Sequence, residues 1–349
     1  MVDIISNFPD SILCFILSFL PTKQVVATSV LSKRWKLLWR FVPSLDFHFG
    51  TPYIDYMDLY YFLNFCETYQ PLHRLRFTSC GLYDFLSMET CIKTALKISG
   101  RLEHLDINLD WFVQLPSAVF SCKTLVVLKL AIIAPKNISL VDLPLLKILH
   151  LKSVRSFKCE DLKRFLSGCL NLEDLEVGSG LAPKSAANTS EKFPKLLKLK
   201  RANIHTHLVP LELIKNVEVL VTDRIYKDDL VFDLHNLLQL ELTRFNLSTK
   251  CIIIVFNRKK KLVAEGNEAL LPCPDPIPTC ISLHLKTCRL NNFRGSVVHL
   301  QFAEYIMKNA NYLRTMKFRY ACNSLRRHDL TSHISSCMKS SDTCTLSFE

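Results

Sequence analysis

The sequence predicts an α/β chain in which a three-helix N-terminal unit precedes a solenoid of short parallel strands with helical or irregular returns. Three observations carry this prediction: an apolar helical segment within the first forty residues, a leucine pattern that returns every 20 to 26 residues, and a strand-helix-strand pattern after a run of prolines. Stacked repeats bury their leucines only against their neighbours, so we expect an arc or horseshoe.

The N-terminal segment from Phe8 to Trp39, FPDSILCFILSFLPTKQVVATSVLSKRWKLLW, fits three short helices. Pro9 suits a first helical turn, and Pro21 ends the first helix because it has no backbone N–H to donate. We expect Thr22 and Ser32 to cap the second and third helices. A unit of this size cannot bury so many large side chains, which predicts that part of its surface is an interface with another polypeptide.

Three motifs of this segment resemble an F-box of the plant type. They are Phe8-Pro9-Asp10, Ile16-Leu17-Ser18-Phe19-Leu20-Pro21 and Val30-Leu31-Ser32-Lys33-Arg34-Trp35. The resemblance implies an F-box over 3–47 that docks a Skp-type adaptor and, through it, a cullin. Phe8 stands where the family usually has leucine. The adaptor-binding residues it implies are Phe8, Pro9, Ile12, Leu13, Ile16, Leu17, Leu20, Val25, Val30, Leu31, Trp35 and Trp39.

The same segment has two alternative interpretations, a buried helical hairpin and a signal peptide. A secretory signal needs a basic region before its apolar stretch. In this chain the only charged residues before the apolar stretch are Asp3 and Asp10, and both are acidic.

The leucine pattern LxxLxL over 70–250 predicts leucine-rich repeats. Its members are Leu102-Leu105-Ile107, Leu125-Leu128-Leu130, Leu146-Leu149-Leu151, Leu172-Leu175-Val177, Leu196-Leu199, Val217-Leu220 and Leu237-Leu240-Leu242. Helical returns are predicted over Glu89–Ser99, closed by Gly100, and Glu160–Ser167, closed by Gly168. The stretches Leu115 to Leu130 and Phe165 to Val177 resemble the repeats behind plant F-boxes. The alternative is a set of leucine-rich helices without a solenoid.

Residues between the leucines point to the outward strand face, where such proteins bind their partners. The candidate substrate-binding residues are His104, Asp106, Lys129, His150, Lys152, Asp174, Glu176, Lys198 and Lys200. Across all seven patterns the outward positions carry four lysines against five carboxylates. A nucleic-acid partner would require a strip of one positive sign, so we expect none despite the net charge of +12.

After Leu242 the pattern breaks, and residues 251–278 form an irregular linker rich in proline. Beyond it, over 279–349, the runs Asn292-Phe293-Arg294-Gly295 and YIMKNANYLRTMKF resemble the FBD module that follows plant F-box and repeat domains. We expect a strand, a turn at Gly295, a helix over Val298–Asn309 and a strand over Leu313–Phe318. This module would cap the leucine core.

No catalytic motif, cofactor site or metal site is predicted. The 14 cysteines include no CxxC pair, which favours reduced thiols in the cytoplasm or nucleus over secretion. No apolar run is long enough for a membrane span. His205 and His207 are expected to be surface residues, and Arg258–Lys261 is either a solvated loop or a nuclear import signal.

The resemblance therefore implies a non-catalytic substrate receptor of an SCF-type (Skp-cullin-F-box) ubiquitin ligase. It would recruit an unidentified protein for ubiquitination through the outward repeat face. Two alternatives keep the architecture: a small-molecule sensor, and an interaction protein without a ligase role, such as a degenerate family copy. A nucleic-acid binder is disfavoured by the mixed charge of the face.

Overall fold

A computed structural model describes residues 5–49, 61–62, 64–67, 70–79, 85–113, 115–133, 138, 140–153, 159–178, 193–205, 209, 211–223, 234–243, 277–321 and 327–349. The chain forms two compact units. One comprises Met1–Leu172 with Gly178–Pro194, and the other comprises Glu173–Val177 with Lys195–Glu349.

The first unit begins with the predicted helices, although the third is a 3-10 helix. Helix α1 spans Asp10–Leu17 and α2 spans Thr22–Ala27, and the 3-10 segment Trp35–Phe41 follows a short turn over Thr28–Val30. Within the part of the chain that the structure describes, no helix has both the length and the apolarity to cross a bilayer.

The predicted caps were wrong at both positions. Pro9 and Pro21 are the N-cap residues of α1 and α2, because their extended ψ angles place the following residue at the first helical position. Thr22 is therefore the first residue of α2, and its hydroxyl oxygen accepts a hydrogen bond from the backbone amide of Asp46 instead of capping the helix. The 3-10 helix begins at Trp35 after Arg34, with no side-chain cap.

The first unit continues as a parallel sheet with one strand per repeat. Its strands are β1 Ser44–Phe49, β2 Arg74–Ser79, β3 His104–Val113, β4 Val127–Ile133 and β5 Ile148–Lys152, each paired with the next. The register stacks one buried leucine per strand in a row, namely Leu45, Leu75, Leu105, Leu128 and Leu149. This ladder is the leucine core that the repeat pattern predicts.

The returns of the first unit match the prediction. They are α3 over Phe85–Ser99, a 3-10 segment over Ser117–Ser121 and α4 over Cys159–Ser167. Gly100, at φ +49°, follows α3 in the left-handed conformation that ends many helices. Gly168 follows α4 for a different reason. A Cβ atom there would lie 2.2 Å from the carbonyl oxygen of Val141, so only glycine fits.

The second unit is also a parallel sheet with one strand per repeat. Its strands are β6 Asp174–Val177, β7 Arg201–Ile204, β8 Val219–Thr222, β9 Gln239–Leu242, β10 Thr287–Phe293, β11 Thr315–Tyr320 and β12 Thr345–Phe348. Each of these strands pairs with the next in parallel. A 3-10 segment over Leu211–Ile214 and a π-helical turn over Cys280–His284 lie between strands.

The C-terminal module has the predicted order. Strand β10 leads through Gly295, at φ +69°, into helix α5 over Val297–Asn309, and β11 follows. Ser296 caps α5 by accepting a hydrogen bond from the amide of His299 at 3.4 Å. Helix α6 over Arg327–Ser336 and the edge strand β12 complete the module. The irregular stretch predicted over 251–278 and the basic run Arg258–Lys261 lie outside the described residues, except for residues 277 and 278.

Candidate functional site

Helix α1 carries large apolar side chains around most of its circumference, and the fold covers only one side of it. Leu13, Cys14 and Leu17 are buried within the first unit. The opposite side forms a stripe at helical spacing, and its members are Phe8, Ile12, Phe15, Ile16, Phe19 and Leu20, all exposed. An apolar helix face of this width is normally buried against another element, so this stripe is the face of α1 that lacks a neighbour within the described chain.

A second group of exposed apolar side chains follows α1. Val30 and Leu31 are 86% and 63% exposed, and Leu37 and Phe41 project from the 3-10 segment Trp35–Phe41. Residues 5–41 hold 11 of the 20 exposed large apolar side chains found among the described residues. Single exposed leucines are ordinary on a protein surface, whereas such a concentration marks an interaction site.

The structure divides the twelve predicted adaptor-binding residues into an outer and an inner set. The outer set is exposed and comprises Phe8, Pro9, Ile12, Ile16, Leu20, Val30 and Leu31. The inner set is buried in the protein's own core and comprises Leu13, Leu17, Val25, Trp35 and Trp39. The inner residues therefore hold the helices in place, and only the outer ones are available for direct contact with another chain.

Contacts made by the inner set and by the residues next to it explain how the outer surface is held in place. The ring of Trp39 meets that of Tyr61 edge to face, with centroids 5.6 Å apart. The Cys14 thiol lies 3.7 Å from the carbonyl oxygen of Leu38, and burial raises the pKa of this thiol, so it stays protonated. Cys14 thus behaves as a small apolar core residue.

Arg34 connects the start of α1 and the residue Phe8 before it to the segment that precedes the 3-10 helix. Its guanidinium donates to the carboxylate of Asp10 at 2.8 Å and to the carbonyl oxygen of Phe8. Because both side chains of the ion pair are substantially exposed, the contact contributes little stability. It does fix the position of Phe8 at the start of the apolar stripe.

The outward face of the first sheet is a separate candidate surface. The register places His104 and Asp106 on β3 beside Val127 and Lys129 on β4, and His150 lies next to Lys129 on β5. Lys152 follows His150 on the same face. The five predicted residues of this unit are therefore brought together as neighbours.

Arg76 on β2 joins two carboxylates across this face. Its guanidinium lies 3.6 Å from Asp46 on β1 and 3.5 Å from Asp106 on β3. Burial raises the pKa of Asp46, an effect that Arg76 opposes and Asp106 reinforces. Burial, with a contribution from Arg74, lowers the pKa of His104, so its imidazole is neutral at neutral pH.

The outward face of the second unit is also mixed in charge. Asp174 and Glu176 lie on β6 as predicted, and the Asp174 carboxylate is 3.9 Å from the guanidinium of Arg201. On later strands Glu241 accepts from Arg289 at 3.4 Å and from Asn291 at 2.9 Å.

The prediction that Lys198 and Lys200 lie on the outward face of a strand was wrong. Lys198 and Lys200 lie before β7, because Ala202 rather than a leucine pairs with Leu175. The strand therefore presents Arg201 and Asn203 instead. Elsewhere in the unit, His205 is mostly buried, with its ring nitrogen 3.1 Å from the carboxylate of buried Asp223, so the surface prediction was wrong for it. His207 lies outside the described residues.

Two further repeats precede those predicted from the sequence, and they contribute Asp46, Arg74 and Arg76. Their signal is present in the chain: Val42-xx-Leu45-x-Phe47 and Leu72-xx-Leu75-x-Phe77 follow the repeat spacing with phenylalanine in the last position. These strands add two arginines and one aspartate to the outward face of the first sheet, which is therefore more basic than its predicted patterns, with Lys129 and Lys152 against Asp106, indicate.

Comparison with known protein families finds three matches along the chain. The F-box domain model matches residues 5–46, a model described as FBD-associated F-box protein At5g56370, LRR repeats, matches 93–209, and the FBD model matches 274–318.

Relatives of this chain in Arabidopsis thaliana have F-box and FBD in their names. FBD-associated F-box protein At4g10400 is 28% identical over 99% of this chain and 100% of its own length, and F-box/FBD/LRR-repeat protein At5g56420 is 26% identical over 99% of both. F-box/FBD/LRR-repeat protein At4g26350 is 36% identical over 50% of this chain, a match that spans 42% of that relative.

Proposed function

Because the chain has the F-box, leucine-rich repeats and FBD module of the plant F-box/FBD/LRR-repeat proteins, we propose that it is the substrate-receptor subunit of an SCF-type ubiquitin ligase. Its N-terminal apolar surface docks a Skp-type adaptor, which connects the protein to a cullin. Its outward strand face recruits a protein for ubiquitination.

The uncovered face of α1 carries this proposal. Covering five of its aliphatic and aromatic side chains would contribute roughly 8 to 15 kcal/mol before the costs of association are subtracted. That is sufficient for a stable subunit contact. The inner set of buried residues supports the stripe from beneath, so the surface is formed before the adaptor arrives and little ordering cost is added on binding.

The proposed role needs no catalytic group in this chain. A receptor that holds a substrate lysine close to an activated ubiquitin raises its effective concentration, and bond formation is left to the conjugating enzyme. Three buried cysteines are poor nucleophiles, since burial raises the pKa of Cys91, Cys169 and Cys288 to about 12. This agrees with a recognition role.

Capture of a purified Skp-type adaptor by the full chain tests the proposal. Ile16→Glu places a charge in the middle of the stripe, where a docked partner would leave it buried and unpaired, and should weaken adaptor binding by about 100-fold or more. Leu140→Glu is the matched control, since Leu140 is 73% exposed but lies in the repeats. Adaptor binding that is absent in the parent, or equal in the two variants, would refute the docking surface.

A further inference from the structure

Three side chains of the C-terminal module converge at one point between helices α5 and α6. They are Glu304 on α5, His333 on α6, and Cys337 one residue beyond the end of α6. Their Oε1, Nε2 and Sγ atoms all lie within 4.8 Å of one another. The carboxylate oxygen is 3.0 Å from the imidazole nitrogen and 3.9 Å from the sulfur.

These separations suit a tetrahedral metal ion. Ligand bonds of about 2.0 to 2.3 Å to zinc place neighbouring ligand atoms about 3.3 to 3.8 Å apart. The cluster therefore needs shifts of about an ångström or less, which side-chain rotation supplies. The spacing of His333 and Cys337, four positions apart at a helix end, sends both side chains to the same side of α6.

Contacts on the other turns of α6 hold this helix against β11 and against the turn that precedes α5. The hydroxyls of Tyr320 and Thr331 are 2.7 Å apart, and Ile334 is buried. Leu330 packs so closely over Gly295 that a Cβ atom there would lie 2.3 Å from it. The ligand atoms are thus presented by a preformed scaffold, which lowers the ordering cost of binding.

We propose that Glu304, His333 and Cys337 form a zinc site that fastens α6 to α5. Thiolate, imidazole and carboxylate are the three ligand types that zinc accepts, and a water completes the fourth position. The side chains of Glu304 and His333 are each about half exposed, so an ion has an entry path from solvent. Binding displaces the Cys337 proton, and the ion then replaces the hydrogen bonds that now link the three side chains.

The site would be structural. Helix α6 precedes β12, the strand that covers the open edge of β11. A metal bond between α5 and α6 would therefore stabilise the end of the leucine core. This inference does not depend on adaptor docking, because all three residues belong to the second unit.

Competition between the full chain and a chromophoric chelator for Zn²⁺ tests the site, with Co²⁺ as a second probe because thiolate ligation gives it a charge-transfer absorption. We expect one tight Zn²⁺ per chain and a metal-dependent rise in the thermal midpoint. Cys337→Ser and His333→Asn should each weaken binding by about 100-fold or more, since even supporting residues around a metal contribute about 10- to 100-fold.

Matched controls separate this cluster from the other cysteines and histidines. Cys122→Ser removes a half-buried thiol of the first unit, and His328→Asn removes an exposed imidazole of α6. Both control variants should bind Zn²⁺ with the affinity of the parent protein. Glu304→Gln removes a proposed ligand without altering the thiol, and it should also weaken Zn²⁺ binding. This variant keeps the test valid if Cys337→Ser fails to fold. A parent without a stoichiometric site, or ligand variants that retain parental affinity, would overturn the proposal.

Discussion

The hydroxyl oxygen of Thr22 accepts a hydrogen bond from the backbone amide of Asp46 at 2.8 Å. Thr22 belongs to α2 and is buried, and Asp46 lies on β1, which pairs with β2 on one side. The bond satisfies a backbone donor on the strand edge that β2 does not cover. The bond therefore links the helical unit to the first repeat.

Thr22→Val should uncouple these two elements. The change keeps the side-chain shape but leaves the Asp46 amide without its acceptor, at a cost of about 1 to 3 kcal/mol in the free energy of unfolding. Urea denaturation of parent and variant measures this. Thr287→Val, at a half-exposed outward position on β10, is the control and should change little. Equal losses in the two variants would show that the Thr22 bond has no special role.

Gly168→Ala should destabilise the protein through a backbone clash. The new Cβ atom would lie 2.2 Å from the carbonyl oxygen of Val141, and neither backbone segment can move aside cheaply. We expect a loss of about 1 to 3 kcal/mol or more in urea denaturation.

Gly178→Ala is the control for this prediction, because the nearest atom to its Cβ is 3.4 Å away, an ordinary contact. A compatible Gly→Ala change is neutral or stabilises by about 0.4 to 1 kcal/mol. The proposed clash is refuted if Gly168→Ala unfolds at the same urea concentration as the parent.

Lys129→Glu should impair the capture of substrate without weakening the binding of the adaptor. Lys129 lies between Asp106 and His150 on the outward face, so reversing its charge changes the face where we propose that substrate binds. Quantitative mass spectrometry of co-purified proteins measures the effect. Lys123→Glu alters an exposed lysine that pairs with Asp142 away from this face, and it should leave the captured set unchanged. Identical captured proteins in both variants would exclude this part of the face.

Removal of residues 280–349 should give an aggregating protein. Strand β10 covers the edge of β9, where the amides of Lys286 and Thr287 donate to the carbonyl oxygen of Leu238 at 2.8 and 3.1 Å. Without the module this edge and its apolar core row are exposed, which promotes pairing between chains. Size-exclusion chromatography follows the outcome. A soluble truncation that unfolds cooperatively would contradict the capping role.

The order of helices and strands could be predicted from the sequence, because the spacing of the leucines marks each repeat directly. The leucine spacing predicted strands β3 to β6, β8 and β9 in place, and the glycine and helix pattern predicted the FBD module with errors of one or two residues. The strand β7 was offset because Ala202 replaces a leucine in the core row. The strands β1 and β2 were missed because Phe47 and Phe77 take the final position of their patterns.

The sequence predicted which segment forms the candidate adaptor surface, but not which of its side chains are exposed. Helix α1 is apolar around most of its circumference, so its spacing alone could not say which side faces the protein's own core. That choice is made by tertiary packing against the 3-10 helix, whose Trp35, Leu38 and Trp39 are buried with Leu13 and Leu17. Phe15 and Phe19 are not among the predicted adaptor-binding residues, but both lie with Ile16 on the exposed stripe.

Hydrogen-deuterium exchange of the full chain, with and without a purified Skp-type adaptor, would map the docking surface residue by residue. If the adaptor covers the apolar stripe and the group around Val30, exchange should slow over residues 10–20 and 28–41 and stay unchanged over 234–243. Unchanged exchange over 10–20 in a demonstrated complex, or protection confined to the repeat strands, would refute docking through the uncovered face of α1.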